Sequence, residues 1–330
     1  MIKSIYRDFK CKVIHKGKLS SEFSVETGVR QGCLLSPLIF ILSIDWIMKH
    51  AETRNSGLQW TLTSQLHDLD FADDVVLIAS TFAHLQQKTS KVEEEASKQG
   101  LNINTIKTKT MRINSNNVQA VRVGDVDIED VEKFTYLGVV VTKGGGAEED
   151  VEARIRKARN SYLNLKKIWK ARYISKELKI GLFNSNVKSV LLYGAETWRM
   201  TESIRSKLQV FLNRCLRRIM QVFWPEWVTN EELWRITKQK PIEQEIRERK
   251  WRWLGHTLRK EEKNITRQAL RWNPAGRRSR GRPKQTWRRT VEGEMKHANL
   301  TWGTMASAAE NRVRWKRTVS AICAAMHNMT

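Results

Sequence analysis

Two adjacent carboxylates are the most chemically suggestive feature of this 330-residue sequence. Asp73 and Asp74 lie in the segment Leu69–Val76, with apolar residues on both sides. Neighbouring carboxylates repel each other unless a cation neutralises them, and a hard divalent ion such as Mg²⁺ prefers oxygen ligands of this kind. The pair therefore indicates a metal site suited to phosphate chemistry. A solvated acidic turn is the alternative when the pair is taken in isolation.

The residues around the pair predict a β-hairpin that would present it. Leu66–Phe71 alternates weakly and Val75–Ala79 is a short β-branched run, so that Ala72, Asp73 and Asp74 form the expected tip. Pro37 predicts the first turn of a helix, and Gly100 predicts a helix C-cap. The further elements predicted before residue 144 are a hairpin around Lys16-Gly17-Lys18, helices at Leu38–Met48 and Thr81–Gln99, and short strands near Thr110–Ile113, Val121–Val123 and Phe134–Val141.

Charge divides the chain into two unlike parts. Residues 1–147 carry 18 Lys+Arg against 17 Asp+Glu, whereas residues 148–330 carry 41 against 18. The net charge of +24 therefore belongs almost wholly to the second part, which also contains all but two of the 13 tryptophans. This asymmetry predicts that the second part binds a polyanion, most commonly nucleic acid. A membrane surface is the weaker interpretation, because the charges are not confined to one amphipathic helix.

The second part shows the spacing of amphipathic helices. Between Glu148 and Ala171 the apolar residues recur at steps of three or four, with charges elsewhere, which indicates a helix with one buried face. We expect further helices at Lys176–Leu192, Glu202–Met220, Asn230–Thr237, Ile242–Leu258, Lys284–Ala298 and Trp302–Ala325. The domains predicted from these patterns are 1–143, 144–240 and 241–330.

Several other classes of protein do not fit the sequence. The four cysteines, at positions 11, 33, 215 and 323, form no metal-ligand spacing and suggest no disulfide framework. No apolar run is long enough for a membrane span, and the N-terminal residues lack the apolar core of a signal peptide. An intracellular protein is expected, with the nucleus favoured by the basic clusters and the cytoplasm as the alternative.

Several ordered segments carry a resemblance to a known family. They are Arg30–Phe40, the Phe71-Ala72-Asp73-Asp74 box, Gly100–Asn104 with Lys107-Thr108-Lys109, and Phe134–Gly138. In this order they resemble the palm of reverse transcriptases, specifically those of non-LTR, LINE-like retrotransposons. Leu192–Trp198 and the region from Trp251 to Arg289 are similar to the C-terminal part of the RTE-type elements of that group. The implied fold class is α+β: a partial polymerase palm of antiparallel sheet and helices, then an all-helical thumb and a basic helical C-terminal region.

The resemblance implies roles for individual residues. Asp73 would ligate catalytic Mg²⁺ or Mn²⁺, Asp74 would support that site, and Lys107 would reach the triphosphate as a proton donor. The remaining implied roles are a nucleotide and template pocket at Arg30, Gln31 and Gly32, and a primer grip at Tyr136, Leu137 and Gly138. Turn glycines, a solvated Lys107 and a core Tyr136 are the alternatives. Asp45 and Asp70 are interpreted as structural.

One departure from the family pattern affects the expected activity. A two-metal polymerase site needs carboxylates from two places, and the family supplies the other Asp from a strand before the Arg-Gln-Gly segment. Only Asp8 precedes Arg30, and it lacks an apolar strand context. We therefore expect a truncated reverse transcriptase that binds metal weakly and does not polymerise alone. An upstream in-frame strand carrying the missing Asp would make Met1 a misplaced start.

Three interpretations of function remain open. The first is a fragment of an RNA-directed DNA polymerase, whose intact family uses an RNA template, a DNA primer or target DNA, and deoxynucleoside triphosphates. The second is a non-catalytic nucleic-acid-binding module, and the third is an unselected remnant of a mobile element. Within the basic loop 273–284, Arg280, Arg282 and Lys284 resemble the core of an AT-hook that binds the minor groove. A plain basic loop is the alternative.

Overall fold

Two compact units make up the chain, Met1–Leu137 (unit 1) and Gly138–Thr330 (unit 2). The computed structural model describes Arg7 and residues 9–25, 28–30, 32–53, 55–61, 63–223, 225–273 and 286–327. Its mixture of helices with small antiparallel sheets confirms the α+β fold class. The division into three domains stays a prediction.

Unit 1 combines two long helices with short antiparallel strands. Helix α1 has Pro37 in its first turn and Lys49 and His50 in its last turn, where positive charge favours the helix dipole. Helix α2 begins after Thr81, whose side chain accepts a hydrogen bond from the amide of His84. The elements are β1 Lys10–Cys11, β2 Ile14–His15, β3 Lys18–Leu19, β4 Phe23–Ser24, α1 Ser36–Ala51, β5 Leu58–Gln59, β6 Gln65–Leu66, β7 Asp68–Phe71, β8 Asp74–Leu77, α2 Phe82–Lys98, β9 Arg122–Val123, β10 Val126–Asp127 and β11 Lys133–Tyr136.

The strands pair only with close neighbours in the chain. Strand β2 pairs with β3 around Lys16-Gly17, which confirms the first predicted hairpin, and β1 pairs with β4 outside it. The predicted strand at Thr110–Ile113 is wrong, because Thr110 makes only an isolated bridge to Asp130. The prediction of a single strand at Phe134–Val141 is also wrong. It is interrupted at Leu137 and Gly138, both of which have positive φ.

Unit 2 begins with one strand and is otherwise helical. Its elements are β12 Val139–Thr142, α3 Glu148–Asn164, α4 Lys166–Lys170, α5 Lys176–Phe183, a π-helical turn Asn184–Lys188, α6 Ser189–Leu191, a 3₁₀ turn Ala195–Thr197, α7 Glu202–Met220, α8 Asn230–Thr237, α9 Ile242–Leu258, α10 Ile265–Ala269, α11 Trp287–His297, α12 Trp302–Glu310 and α13 Arg312–His327.

Two apolar clusters form the core of unit 2. One lies between residues 147 and 246 and includes Phe183 and Leu208, and the other lies between residues 251 and 323 around Trp251 and Trp315. Buried apolar side chains are fewer among the described residues of unit 1. Helix α1 instead leaves a row of apolar side chains exposed. Together with the preceding Leu34, the row comprises Leu38, Ile41, Leu42 and Trp46.

Candidate functional site

The acidic pair lies at the tip of a tight hairpin, as predicted. Strands β7 and β8 pair in the register Asp68↔Leu77 to Phe71↔Asp74, which leaves only Ala72 and Asp73 in the turn. The turn is therefore one residue shorter than predicted, since Asp74 begins β8. Ala72 adopts a left-handed φ of 55°, and Asp73 and Asp74 are both exposed. The hairpin thus presents two carboxylates to solvent on neighbouring residues.

The register separates the carboxylates of the hairpin onto two faces. Side chains alternate along a strand, so Asp74 lies on the face of its partner Phe71, and Asp70 lies on the other face. Phe71 is 62% exposed, so the face that carries Asp74 is open. On the opposite face, Asp68 is half-buried and Asp70 is exposed. The two carboxylate sets therefore have different surroundings.

Two neighbouring carboxylates, Asp68 on β7 and Asp45 on α1, act on the carboxylate of Asp70. The pKa of Asp70 is raised to about 6, chiefly by burial and in addition by the negative charges of Asp68 and Asp45. The pKa of Asp68 is also raised by burial, but the nearby Lys88 ammonium opposes the shift. Lys88 is 3% exposed and donates to the carbonyl oxygens of His67 and Ile78 at 3.1 and 2.6 Å. The structural role expected for Asp70 and Asp45 stays a prediction.

Among the residues predicted for the primer grip, Tyr136 contacts the acidic hairpin through its side chain. Its hydroxyl donates to the carbonyl oxygen of Leu69 in β7 at 3.2 Å. Burial raises the pKa of the Tyr136 phenol, with additional effects from Asp70 and Asp74. The ring is only partly buried. Tyr136 therefore ties β11 to the strand that leads into the acidic tip.

The other residues implied for the nucleotide pocket have separate local environments. The guanidinium of Arg30 lies 3.9 Å from the centre of the Phe9 ring, and the Arg30 carbonyl oxygen accepts a hydrogen bond from the Ser36 hydroxyl at 2.5 Å. Gly32 is exposed with a φ of 87°, which accounts for glycine at this turn. Lys107 is exposed and makes no salt bridge to another described residue. Gln31 lies outside the described residues.

Gly138 is held within unit 2 by residues that the sequence motifs did not identify. Arg154 donates to its carbonyl oxygen at 2.5 Å and lies 4.3 Å from the centre of the Tyr193 ring. Asp150 accepts from the Val140 amide at 3.0 Å, which orders strand β12 against α3. The sequence feature that could have identified them is an acidic and a basic residue four positions apart, Asp150 and Arg154, on the apolar face of helix α3. The Leu192–Trp198 motif contributes here too, since the Trp198 indole donates to the other Asp150 oxygen at 2.8 Å.

The residues present do not fit a complete two-metal centre. Asp73 and Asp74 offer hard oxygen donors, as a divalent cation requires. In the part of the chain that the structure describes, however, no group of three or more His, Cys, Asp or Glu side chains comes together with metal-binding geometry. The hairpin therefore supplies part of such a centre at most.

Two further observations concern the rest of the chain. No helix among the described residues is long and apolar enough to cross a membrane. Arg280, Arg282 and Lys284 lie outside the described residues, so the AT-hook resemblance stays a prediction.

Comparison with protein-family models gives two matches. Residues 1–141 match the model of reverse transcriptase (RNA-dependent DNA polymerase), a family that generally uses divalent metals and nucleic-acid substrates. Residues 161–193 match a domain of unknown function. The first match contains the acidic hairpin and ends in β12.

Individual relatives come from mobile elements. An uncharacterized transposon-derived protein of Caenorhabditis elegans is 24% identical over 265 residues, which cover 76% of this chain and 94% of the relative. A retrovirus-related Pol polyprotein from a type-1 retrotransposable element of Nasonia vitripennis is 31% identical over 122 residues, 37% of this chain and 11% of the polyprotein. An uncharacterized 149 kDa transposon protein of Xenopus laevis is 25% identical over 69% of this chain and 17% of its own length. The chain thus spans nearly all of the first relative and less than a fifth of the other two.

Proposed function

We propose that this chain, a member of the reverse transcriptases of non-LTR retrotransposons, is a polymerase fragment that binds nucleic acid. Unit 1 carries part of the catalytic centre, and unit 2 holds the nucleic acid. The observation that supports this most directly is the Phe71–Asp74 hairpin, whose two-residue turn exposes both carboxylates within the matched region. The substrates proposed are an RNA template and a DNA primer or target DNA.

The site residues carry the roles that the family resemblance implies. We assign Asp73 and Asp74 to metal binding, where the metal would neutralise phosphate charge and Asp73 would be the principal ligand. Tyr136 supports this assignment, because its hydrogen bond to Leu69 connects the grip strand to the hairpin. The other assignments are Lys107 for the triphosphate, Arg30, Gln31 and Gly32 for the nucleotide and template, and Leu137 and Gly138 for the primer.

The described part of the chain does not complete the catalytic centre by itself. Asp73 and Asp74 have no third acidic or imidazole ligand among the described residues, and the centre needs carboxylates from two places. The apolar row on α1 supports the same conclusion, since Leu38 and Ile41 are 56% and 52% exposed where a palm helix would be covered.

A primer-extension assay tests this proposal for unit 1. The full chain is incubated with a DNA primer on an RNA template, all four deoxynucleoside triphosphates and Mg²⁺ or Mn²⁺. We expect no extension above the level of Asp73→Ala. Extension that is abolished in Asp73→Ala would show that the chain forms a working centre, and would overturn the proposal of an incomplete one.

Binding by unit 2 has a separate test. The excess of basic residues lies after residue 147, so the full chain should bind nucleic acid with a strong dependence on salt. Fluorescence anisotropy with a labelled 20-nucleotide strand and its duplex, between 50 and 300 mM NaCl, measures the slope of log K against log salt. Absence of binding at 50 mM NaCl would contradict this part of the proposal. The division of unit 2 at residue 240 and a nuclear location also belong to the proposal.

A further inference from the structure

A groove of about 610 Å³ runs between helices α3 and α7 of unit 2. The two helices lie side by side, with Lys207 paired to Glu152 at one end and Tyr162 beside Cys215 at the other. At 1.5 Å per residue, the segment of α7 along the groove is roughly 18 Å long. Its lining residues on α3 are Ile155, Arg159, Tyr162 and Leu163, and those on α7 are Ser206, Lys207, Val210, Phe211, Arg214, Cys215 and Arg218.

The rim of the groove carries unneutralised positive charge. Arg159, Arg214 and Arg218 are exposed and form no salt bridge with a described residue, whereas Lys207 pairs with Glu152 at 2.7 Å. All three guanidiniums act on the Cys215 thiol, where they oppose the rise in pKa that burial causes, so they converge on one stretch of the groove. A guanidinium suits phosphate because it donates two parallel hydrogen bonds.

The floor of the groove is apolar. Leu163 and Val210 are 51% and 54% exposed and lie beside the buried rings of Tyr162 and Phe211. An occupant that covers this floor must bring apolar surface as well as negative charge. A nucleic-acid duplex presents phosphates outward and keeps its bases stacked inside, so it can contact the basic rim but cannot cover the apolar floor. An unpaired strand has phosphates and free base faces together.

We propose that the groove between α3 and α7 is a binding site for a single-stranded segment of nucleic acid. Phosphates lie on Arg159, Arg214 and Arg218, and one or two unpaired bases cover Leu163 and Val210. The inference rests on the proposed binding function of unit 2 and adds that the nucleic acid bound in the groove is single-stranded. Recognition is independent of the nucleotide sequence, because every base has an apolar face and the side chains of Leu163 and Val210 have no hydrogen-bonding groups that could distinguish one base from another.

Anisotropy with the full chain tests the apolar floor. The probes are a labelled 20-nucleotide RNA, its duplex, and a strand of the same length with abasic sites in place of its central bases. We expect Leu163→Ser and Val210→Ser each to weaken binding of the RNA strand about fivefold and to leave duplex binding unchanged. Leu178→Ser is the matched control, since Leu178 is 56% exposed on α5 and lies outside the groove. The affinity for the abasic strand should be the same for the floor variants as for the parent chain.

The rim is tested by its effect on salt dependence. Replacing Arg159, Arg214 and Arg218 by Gln should reduce the salt slope for the strand by about 2, at about 0.7 per phosphate contact. Arg156→Gln, on α3 but outside the groove, is the control for general charge. Melting temperatures of all variants, measured in parallel, separate loss of folding from loss of binding.

The outcomes distinguish this inference from the proposed function. Failure to bind either strand or duplex at 50 mM NaCl contradicts the proposed function itself. Equal binding of strand and duplex, with no effect of the floor variants, overturns the groove inference alone. The inference is also overturned if a model helical peptide with a Leu face and Glu flanks displaces the RNA strand and binds more tightly through the same residues. In that case the groove is a protein-docking site.

Discussion

Replacing Glu294 by Ala should destabilise unit 2 by about 3–5 kcal/mol. Glu294 is 6% exposed and accepts hydrogen bonds from the Lys250 ammonium at 2.8 Å and from the Trp251 indole at 2.6 Å. The Arg247 guanidinium also lies 3.5 Å from its carboxylate. Lys250 and Arg247 are themselves buried. The carboxylate therefore neutralises positive charge that has little access to water.

The unpaired ammonium of Lys250 dominates the expected cost. Arg247 keeps Glu243 at 2.8 Å after the substitution, but Lys250 loses its carboxylate partner. Loss of the Trp251 hydrogen bond adds about 1 kcal/mol, which is within the stated range. A buried cation without a partner costs several kcal/mol, and the site relaxes partly by releasing a proton.

Proton release gives the substitution a signature in pH. Burial already lowers the pKa of Lys250, and Glu294 opposes that shift, so Glu294→Ala should lower the pKa further. A base whose pKa is lower in the folded than in the unfolded state binds fewer protons when folded. Stability of the variant should therefore rise more steeply with pH than that of the parent as the pH increases towards the ordinary lysine pKa.

Urea unfolding followed by tryptophan fluorescence measures both effects. Glu292→Ala, on the same helix but only partly buried, is the control and should cost less than about 1 kcal/mol. The double variant Lys250→Met/Glu294→Leu should recover most of the lost stability, because no charge is left unpaired. A cost of Glu294→Ala below about 1 kcal/mol, or a double variant no more stable than the single one, would refute this reasoning.

Three further substitutions test other parts of the structure. Gly255→Ala should cost about 1–3 kcal/mol, since an added Cβ would lie 2.0 Å from the buried Trp315 indole nitrogen. Gly303→Ala is the control, because its Cβ would make only an ordinary contact at 3.9 Å with the Thr301 Oγ1, and equal melting temperatures would contradict the packing. Asp70→Asn should stabilise unit 1 by about 1 kcal/mol at pH 7.5, where solvent screens part of the effect, and by less at pH 5. The sign follows because a carboxyl group whose pKa is raised in the folded state, here chiefly by burial and also by Asp68 and Asp45, destabilises that state when it is ionised; identical gains at both pH values would contradict this reasoning. Arg154→Met should cost about 1.5–3 kcal/mol and speed amide hydrogen exchange in β12, whereas unchanged exchange would show that the guanidinium does not hold this strand.

Elements with strong local signals were predicted closely. Helix α7 occupies the predicted range Glu202–Met220, because the apolar spacing is regular and Thr201 caps the first turn by accepting from the Ile204 amide. Helices α8 and α9 also have the predicted bounds. The hairpin at Asp73 was predicted because the weakly alternating segment Leu66–Phe71 and the β-branched run Val75–Ala79 leave room only for a short turn between them. Local residue patterns decide such elements.

Interruptions within long helical patterns were not predicted. The periodicity over Glu148–Ala171 continues through Leu165, yet the helix stops at Asn164 and restarts as α4. The Trp169 indole, which donates to the Tyr162 carbonyl oxygen at 2.7 Å, accompanies this break. The predicted helix Trp302–Ala325 similarly divides at Asn311, whose backbone is extended. Helical spacing survives a short break, so the pattern alone does not reveal it.

The sequence by itself determined the acidic hairpin, the family resemblance and the basic character of the second part, because each depends on residue types and short spacings. Only the tertiary structure decided which charges are neutralised. Glu294 and Lys250 are 44 residues apart and meet in a buried pair, whereas Arg159 and Arg218 have no salt-bridge partner among the described residues and line an apolar groove. Burial and pairing depend on contacts between distant segments. The net charge therefore indicated a nucleic-acid partner, and the packing of α3 against α7 indicated where it would bind.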